Sequence, residues 1–126
     1  NKFKQFDWWL FSRVDESSDS VHIPYYYPIE NRIANFKPDF IFWLQQGNRY
    51  HILLIDPTGT GRTEYEHKVD GYKNLFEEDG LPKVFQDGDL QVCVHVFLHT
   101  QDRNILAEGY RAYWFDGIEQ VLDKIV

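Results

Sequence analysis

The run Asp39-Phe40-Ile41-Phe42-Trp43-Leu44-Gln45-Gln46-Gly47-Asn48-Arg49-Tyr50-His51-Ile52-Leu53-Leu54-Ile55-Asp56 holds two apolar segments, Phe40 to Leu44 and Tyr50 to Ile55, separated by the turn signal Gln46-Gly47-Asn48. Segments of this length, rich in β-branched and aromatic residues and joined by a glycine-bearing turn, predict a hairpin of two well-buried strands at the centre of a sheet. An acid opens the first segment and another closes the second. An antiparallel hairpin sets the start of one strand beside the end of the other, so Asp39 and Asp56 are expected at the same end of the sheet.

Downstream, Asp56-Pro57-Thr58-Gly59-Thr60-Gly61 is a loop by composition. From Thr63 the apolar positions Tyr65, Val69, Tyr72 and Phe76 recur at spacings of four, three and four. That period predicts an amphipathic helix, with Thr63 as N-cap and an end near Asp79-Gly80, before Pro82. Gln91 to Thr100 reads as a further strand of the same sheet, with Val92, Val94, Val96 and Leu98 on one face. Arg111 to Phe115 reads as a last strand and Gly117 to Val126 as a terminal helix. Upstream, Trp8 to Val14 reads as a first strand, followed by the polar turn Asp15 to Ser20. Val21 to Tyr27, interrupted by Pro24 and closed by Pro28, suits a peripheral ribbon that turns at Glu30-Asn31-Arg32. The order strand, hairpin, helix, strand predicts an α/β fold, a mixed central sheet flanked by helices.

At 126 residues, 43% hydrophobic and 17% aromatic, the chain has material for one core, hence one domain over 1–126. Cys93 is the single cysteine, in an alternating apolar stretch, which excludes a disulfide framework and predicts a buried thiol in a reducing, cytoplasmic setting. No apolar run approaches the roughly 18 to 20 residues that span a bilayer, so no membrane partner is expected. The sequence has no methionine, even at its first position, which predicts a segment of a longer polypeptide. A formal net charge of −7 argues against a free-standing nucleic-acid binder with a basic face. The acids cluster in Asp7 to Asp19 and Glu77 to Asp89, whereas Asn31 to His51 carries Arg32, Lys37 and Arg49 against Asp39 alone. That middle third is the expected contact surface, and a DNA phosphate would be gripped largely by metal ions or by the rest of a parent protein.

Two carboxylates held at one sheet end repel unless a cation lies between them. Hard oxygen ligands favour Mg²⁺ or Mn²⁺, which keep several waters and accept phosphate oxygens. The competing reading makes Asp39 a turn residue after Pro38 and Asp56 an Asx-turn residue before Pro57. Spacing alone does not choose between them.

Lys37-Pro38-Asp39-Phe40-Ile41-Phe42-Trp43-Leu44, followed seventeen positions after Asp39 by Asp56-Pro57-Thr58-Gly59-Thr60, resembles the core of a PD-(D/E)xK nuclease. More narrowly, Phe11-Ser12-Arg13-Val14-Asp15-Glu16, Ile23-Pro24-Tyr25-Tyr26 and Gly71-Tyr72-Lys73-Asn74-Leu75-Phe76 resemble the C-terminal nuclease domain of DEAD/DEAH-box helicases akin to type III restriction enzyme subunits. The resemblance spans most of the chain. It implies a restriction-endonuclease-like fold and a magnesium-dependent DNA endonuclease, a hydrolase of phosphodiester bonds attached to a helicase or translocase. It further implies Asp39 and Asp56 as metal ligands, the Pro57 carbonyl as another, and Thr58 where the superfamily places its catalytic lysine. Threonine supplies no positive charge there.

Two lysines offer a substitute. An extended Lys37 would share the face of Asp39, and Lys68 lies one turn into the expected helix; either is otherwise a solvated side chain. The upstream glutamate of the superfamily is not evident, Glu16 being a poor stand-in. Thr58-Gly59-Thr60-Gly61-Arg62-Thr63 lacks the ending of a phosphate-binding P-loop and is expected near the scissile phosphate, with Thr60 and Arg62 of this loop and Tyr72 of the helix as substrate-binding candidates. The loss of the lysine leaves a second reading open, a catalytically degenerate module that docks DNA or the motor domain. His51, His67, His95 and His99 show no paired metal spacing and are expected to be structural or surface residues. Trp8-Trp9 and Tyr25-Tyr26-Tyr27 would stack on bases, or else form core or an interface.

Overall fold

The computed structural model describes residues 4, 6–13, 23–36, 38–56, 64–100 and 102–125. In chain order its elements are β1 (Trp8–Arg13), β2 (Ile23–Tyr27), β3 (Arg32–Phe36), β4 (Phe40–Gln46), β5 (Arg49–Asp56), α1 (Glu64–Phe76), β6 (Glu77–Glu78), β7 (Leu81–Pro82), β8 (Phe85–Asp87), β9 (Leu90–Leu98) and α2 (Ile118–Ile125). The fold is α/β. Five strands form a mixed sheet in the order β1-β4-β5-β9-β8, antiparallel except where β9 runs parallel to β5. A parallel neighbour needs a crossover rather than a tight turn, and α1 lies on that crossover. The proposed centre therefore holds: β4 and β5 are antiparallel neighbours, both flanked by other strands.

The β4–β5 turn explains its own sequence. Gln46 pairs with Arg49, leaving a two-residue loop in which Gly47 sits at φ 59°. A positive φ at the first central position is the type II′ arrangement, whose twist matches that of the strands it joins, and glycine adopts it without a Cβ clash.

The sheet is covered on both faces, which is why the middles of β4, β5 and β9 carry apolar residues on both sides. On one face α1 and the β2–β3 hairpin pack Ile23, Tyr25, Ala34 and Tyr72 against Ile41, Leu54, Val94 and Val96. On the other, Phe6 and the α2 residues Val121 and Leu122 pack against Leu44, Leu53, Ile55 and Phe97. The predicted period of α1 is realised, with Tyr65, Val69 and Tyr72 at 7%, 0% and 1% exposure. Gly71 is the contact point with β2, for a Cβ built there would lie 2.6 Å from the Tyr25 Cβ and 2.7 Å from the Pro24 carbonyl oxygen.

Two boundaries differ from expectation. The helix stops at Phe76, and Asp79-Gly80, both at positive φ (54° and 79°), instead turns the small β6–β7 hairpin. An Asp-Gly pair suits such a turn as well as it suits a helix end. The stretch Arg111 to Phe115 is not a strand. Residues Glu108–Tyr113 form a 3-10 helix, and only Trp114 bridges to β9. Tyr110 and Tyr113, one 3-10 turn apart, donate their hydroxyls to Asp70 of α1 and Glu77 of β6. That three-residue spacing places both on one side of a 3-10 helix, and the anchors decide against the alternation a strand would need. Thr63 lies outside the described residues. No helix among the described residues is long and apolar enough to cross a membrane.

Candidate metal and phosphate site

The β4–β5 register ends on Phe40 opposite Ile55. Asp39 sits in a bend immediately before β4 and Asp56 is the last residue of β5, so the two acids lie at the same end of the sheet. By strand alternation Asp56 shares the α1 face with Ile52 and Leu54 of β5. Asp56 is 7% exposed and Asp39 is half-buried. The main chain of Asp56 is fixed from the other side as well, since its carbonyl accepts from the His99 amide at 3.2 Å. The two acids singled out in the sequence are thus brought to one end of the sheet, close to the first turn of α1, where Tyr65 and Val69 pack on Leu98 and Leu106.

The remaining candidates divide. Lys68 is half-buried on α1, on the helical stripe of Tyr65 and Tyr72 that faces the sheet. Lys37, Pro57, Thr58, Thr60 and Arg62 lie outside the described residues. Tyr72 does not face a substrate. It is 1% exposed and its hydroxyl donates to the Val94 carbonyl at 2.8 Å, because the period that makes α1 amphipathic turns this ring into the core. Burial, reinforced by Glu77, pushes its pKa far up, so the hydroxyl stays a donor. The basic surface expected between Asn31 and His51 is also largely committed to local partners: Arg32 pairs with Glu30 at 2.7 Å, and Arg49 donates to Gln91 at 2.9 Å. Among the described residues, no group of three or more His, Cys, Asp or Glu is arranged to hold a metal ion. Two carboxylates at one sheet end nonetheless suit Mg²⁺, which is commonly held by one or two carboxylates with waters and phosphate oxygens completing its octahedron.

One constellation escaped the sequence reading. His51 Nδ1 lies 3.1 Å from His95 Nε2, both rings buried on the α2 face of the sheet. Spacing within one strand hid the pair, because it forms across β5 and β9, where His51 is in register with Cys93 and His95 is the diagonal neighbour. The readable signal was parity: both histidines interrupt apolar runs at positions that face the same side of two strands expected in one sheet. Burial pushes both imidazoles well below their usual pKa, and nearby Arg49 adds to the effect. Each ring is therefore neutral, one donating to the other. Burial likewise raises the pKa of Cys93 and keeps it an unreactive thiol.

No curated protein and no solved structure matches the chain. A family model matches residues 1–106, a span that takes in the whole sheet, α1 and both acids and stops ahead of the 3-10 segment and α2. By that match the chain belongs to the YagJ family.

Proposed function

We propose that the chain is a divalent-metal-dependent DNA endonuclease domain, a phosphodiester hydrolase of the PD-(D/E)xK kind working as part of a helicase- or restriction-type assembly in the cytoplasm. The observation that supports this reading is the antiparallel β4–β5 pairing, which ends on Phe40 and Ile55 and leaves Asp39 and Asp56 as the flanking residues at one end of the sheet. Two carboxylates about 5 Å apart repel by about 3 kcal/mol at an effective dielectric near 20, and a cation between them turns that repulsion into attraction. Mg²⁺ or Mn²⁺ held there would polarise the scissile phosphate and acidify an attacking water. The protein's own residues then have three tasks. Asp39 and Asp56 orient the ion, Thr60 and Arg62 hold the DNA backbone, and Lys68 or Lys37 supplies the positive charge that Thr58 lacks.

Thr58 and the net charge of −7 favour a second reading, in which the domain keeps the nuclease fold and docks DNA or a motor domain without cleaving. One experiment separates the two. Plasmid DNA is incubated with Mg²⁺ or Mn²⁺ and wild type, Thr58→Lys or Lys37→Ala. The enzyme reading requires cleavage by wild type or by Thr58→Lys, and loss of cleavage in Lys37→Ala identifies the lysine that has taken over. Plasmid left intact by both wild type and Thr58→Lys overturns the enzyme and leaves the docking module.

A further inference from the structure

β1 is a terminal strand of the sheet and is exposed along its whole length, with Trp8 at 39%, Trp9 at 50%, Leu10 at 56% and Phe11 at 45%. Proteins usually guard such an edge with lysine, proline, a bulge or a covering loop. Here charge stands only at the ends, Asp7 just before the strand and Arg13 as its last residue.

We propose that β1 pairs antiparallel with β1 of a second copy of this chain, about a twofold axis at Leu10, joining two five-stranded sheets edge to edge. The pattern of the strand selects both occupant and register. With Leu10 opposite itself, Trp9 faces Phe11 of the second copy, and Asp7 faces Arg13, on both sides of the axis. Opposed residues in an antiparallel pair share a face and lie about 4.5–5.5 Å apart at Cβ, and Asp7, Trp9, Phe11 and Arg13 have the same parity, so the charges meet beside the rings. Slipping the register by two places sets Arg13 against Trp9 or Asp7 against Phe11, and the double charge match is lost. Asp7 also accepts from the Gly47 amide of the β4–β5 turn at 3.1 Å, which fixes its position beside the end of β4. On the same face Phe11 already contacts Phe40 and Phe42, at 5.4 and 4.7 Å between ring centroids, and Trp9 lies 6.3 Å from Phe42. Pairing continues this aromatic layer across the axis. An isologous contact of this kind closes on itself and uses one patch twice. A six-residue strand with its rings lies at the low end of specific interfaces, so the dimer is concentration-dependent. The inference is independent of any catalytic role.

The test uses the whole chain. Leu10→Cys should form a disulfide-linked dimer on mild oxidation, because the register brings that position against itself, while Cys93 is buried. Trp9→Cys and Phe11→Cys should cross-link at least tenfold more slowly. By sedimentation, Arg13→Asp should weaken the dimer at least tenfold, and the charge swap Asp7→Arg with Arg13→Asp should restore it, each variant first being checked for native circular dichroism. A chain that stays monomeric to millimolar concentration overturns the proposal. So does cross-linking at Trp9 or Phe11 in preference to Leu10, or a dimer that Arg13→Asp leaves unchanged.

Discussion

His51 and Asp56 lie on one strand, β5, on opposite faces of the sheet and near opposite ends, and both are buried. Their electrostatic situations are opposite. His51 meets His95, and two imidazoles become complementary by staying neutral, since one nitrogen donates and the other accepts. Asp56 shares its end of the sheet with Asp39, and two carboxylates brought together repel unless a proton or a cation lies between them. A buried neutral pair that completes itself contributes to the fold, whereas acids gathered at a sheet end suit a cation under the proposed function. Under the proposed function the α2 face is structural and the α1 end of the sheet is the place for chemistry.

The most direct way to break this contrast is Asp56→Asn. Under the nuclease reading it should lower cleavage by about 10³-fold, the loss of several kcal/mol of charge stabilisation, and should abolish Mn²⁺ binding in calorimetry. The histidine double variant His51→Leu/His95→Leu should leave Mn²⁺ binding unchanged. Unaltered Mn²⁺ affinity in Asp56→Asn would remove the metal site.

Next in size is Gly71→Ala, which probes the seat of α1. Its Cβ would meet Tyr25 and the Pro24 carbonyl at 2.6 and 2.7 Å, and backbone atoms cannot rotate away. A loss of about 2–3 kcal/mol is expected, as for other overpacked contacts, read from chemical denaturation. A thermal or denaturant midpoint equal to wild type would mean that the hairpin β2–β3 yields freely.

The histidine pair makes a prediction in pH. Both imidazoles are held below their usual value by burial, so in the pH range under about 6.5 the unfolded chain binds protons that the folded chain does not. Stability is therefore full above about pH 6.5 and falls as pH drops, by up to about 1.4 kcal/mol per pH unit for each histidine. His51→Leu/His95→Leu should flatten that slope at small cost at pH 7, because both partners leave together, whereas His95→Leu alone strands His51 and costs about 1–3 kcal/mol. An acid limb as steep in the double variant as in wild type would assign it to other groups.

What the sequence made legible follows from the range of each signal. The β4–β5 hairpin, α1 and the strand at Gln91 announced themselves by local period and turn chemistry, and the register of the hairpin followed, which is why Asp39 and Asp56 were placed correctly at one sheet end. Signals that depend on packing were lost. The 3-10 turn at Glu108–Tyr113 rests on hydroxyl contacts to Asp70 and Glu77, about forty positions away. The His51–His95 pair spans 44 positions, and no spacing within either strand reports it. Tyr72 carried two signals at once: its resemblance marked it for substrate, its period marked it for the core, and the period decided.

That conflict at Tyr72 gives the smallest expected effect. Tyr72→Phe removes only the hydroxyl that donates to the Val94 carbonyl while the ring keeps its edge-on contact with Tyr113 at 6.1 Å between centroids. A buried carbonyl left without its donor would ordinarily cost about 1–3 kcal/mol. Here the Tyr72 side chain lines a cavity of about 120 Å³ of mixed character, with Glu77, His95, Tyr113 and Lys124 beside Pro82, Val96, Phe97 and Ala112, and its polar groups give a water room to take over the donation. The loss should accordingly fall near 1 kcal/mol, with no change in Mn²⁺ affinity or in any cleavage. If Tyr72→Phe instead impaired DNA binding or cleavage while leaving stability intact, the ring would belong to the site after all, and the division of β5 into a structural face and a chemical end would have to be redrawn through α1.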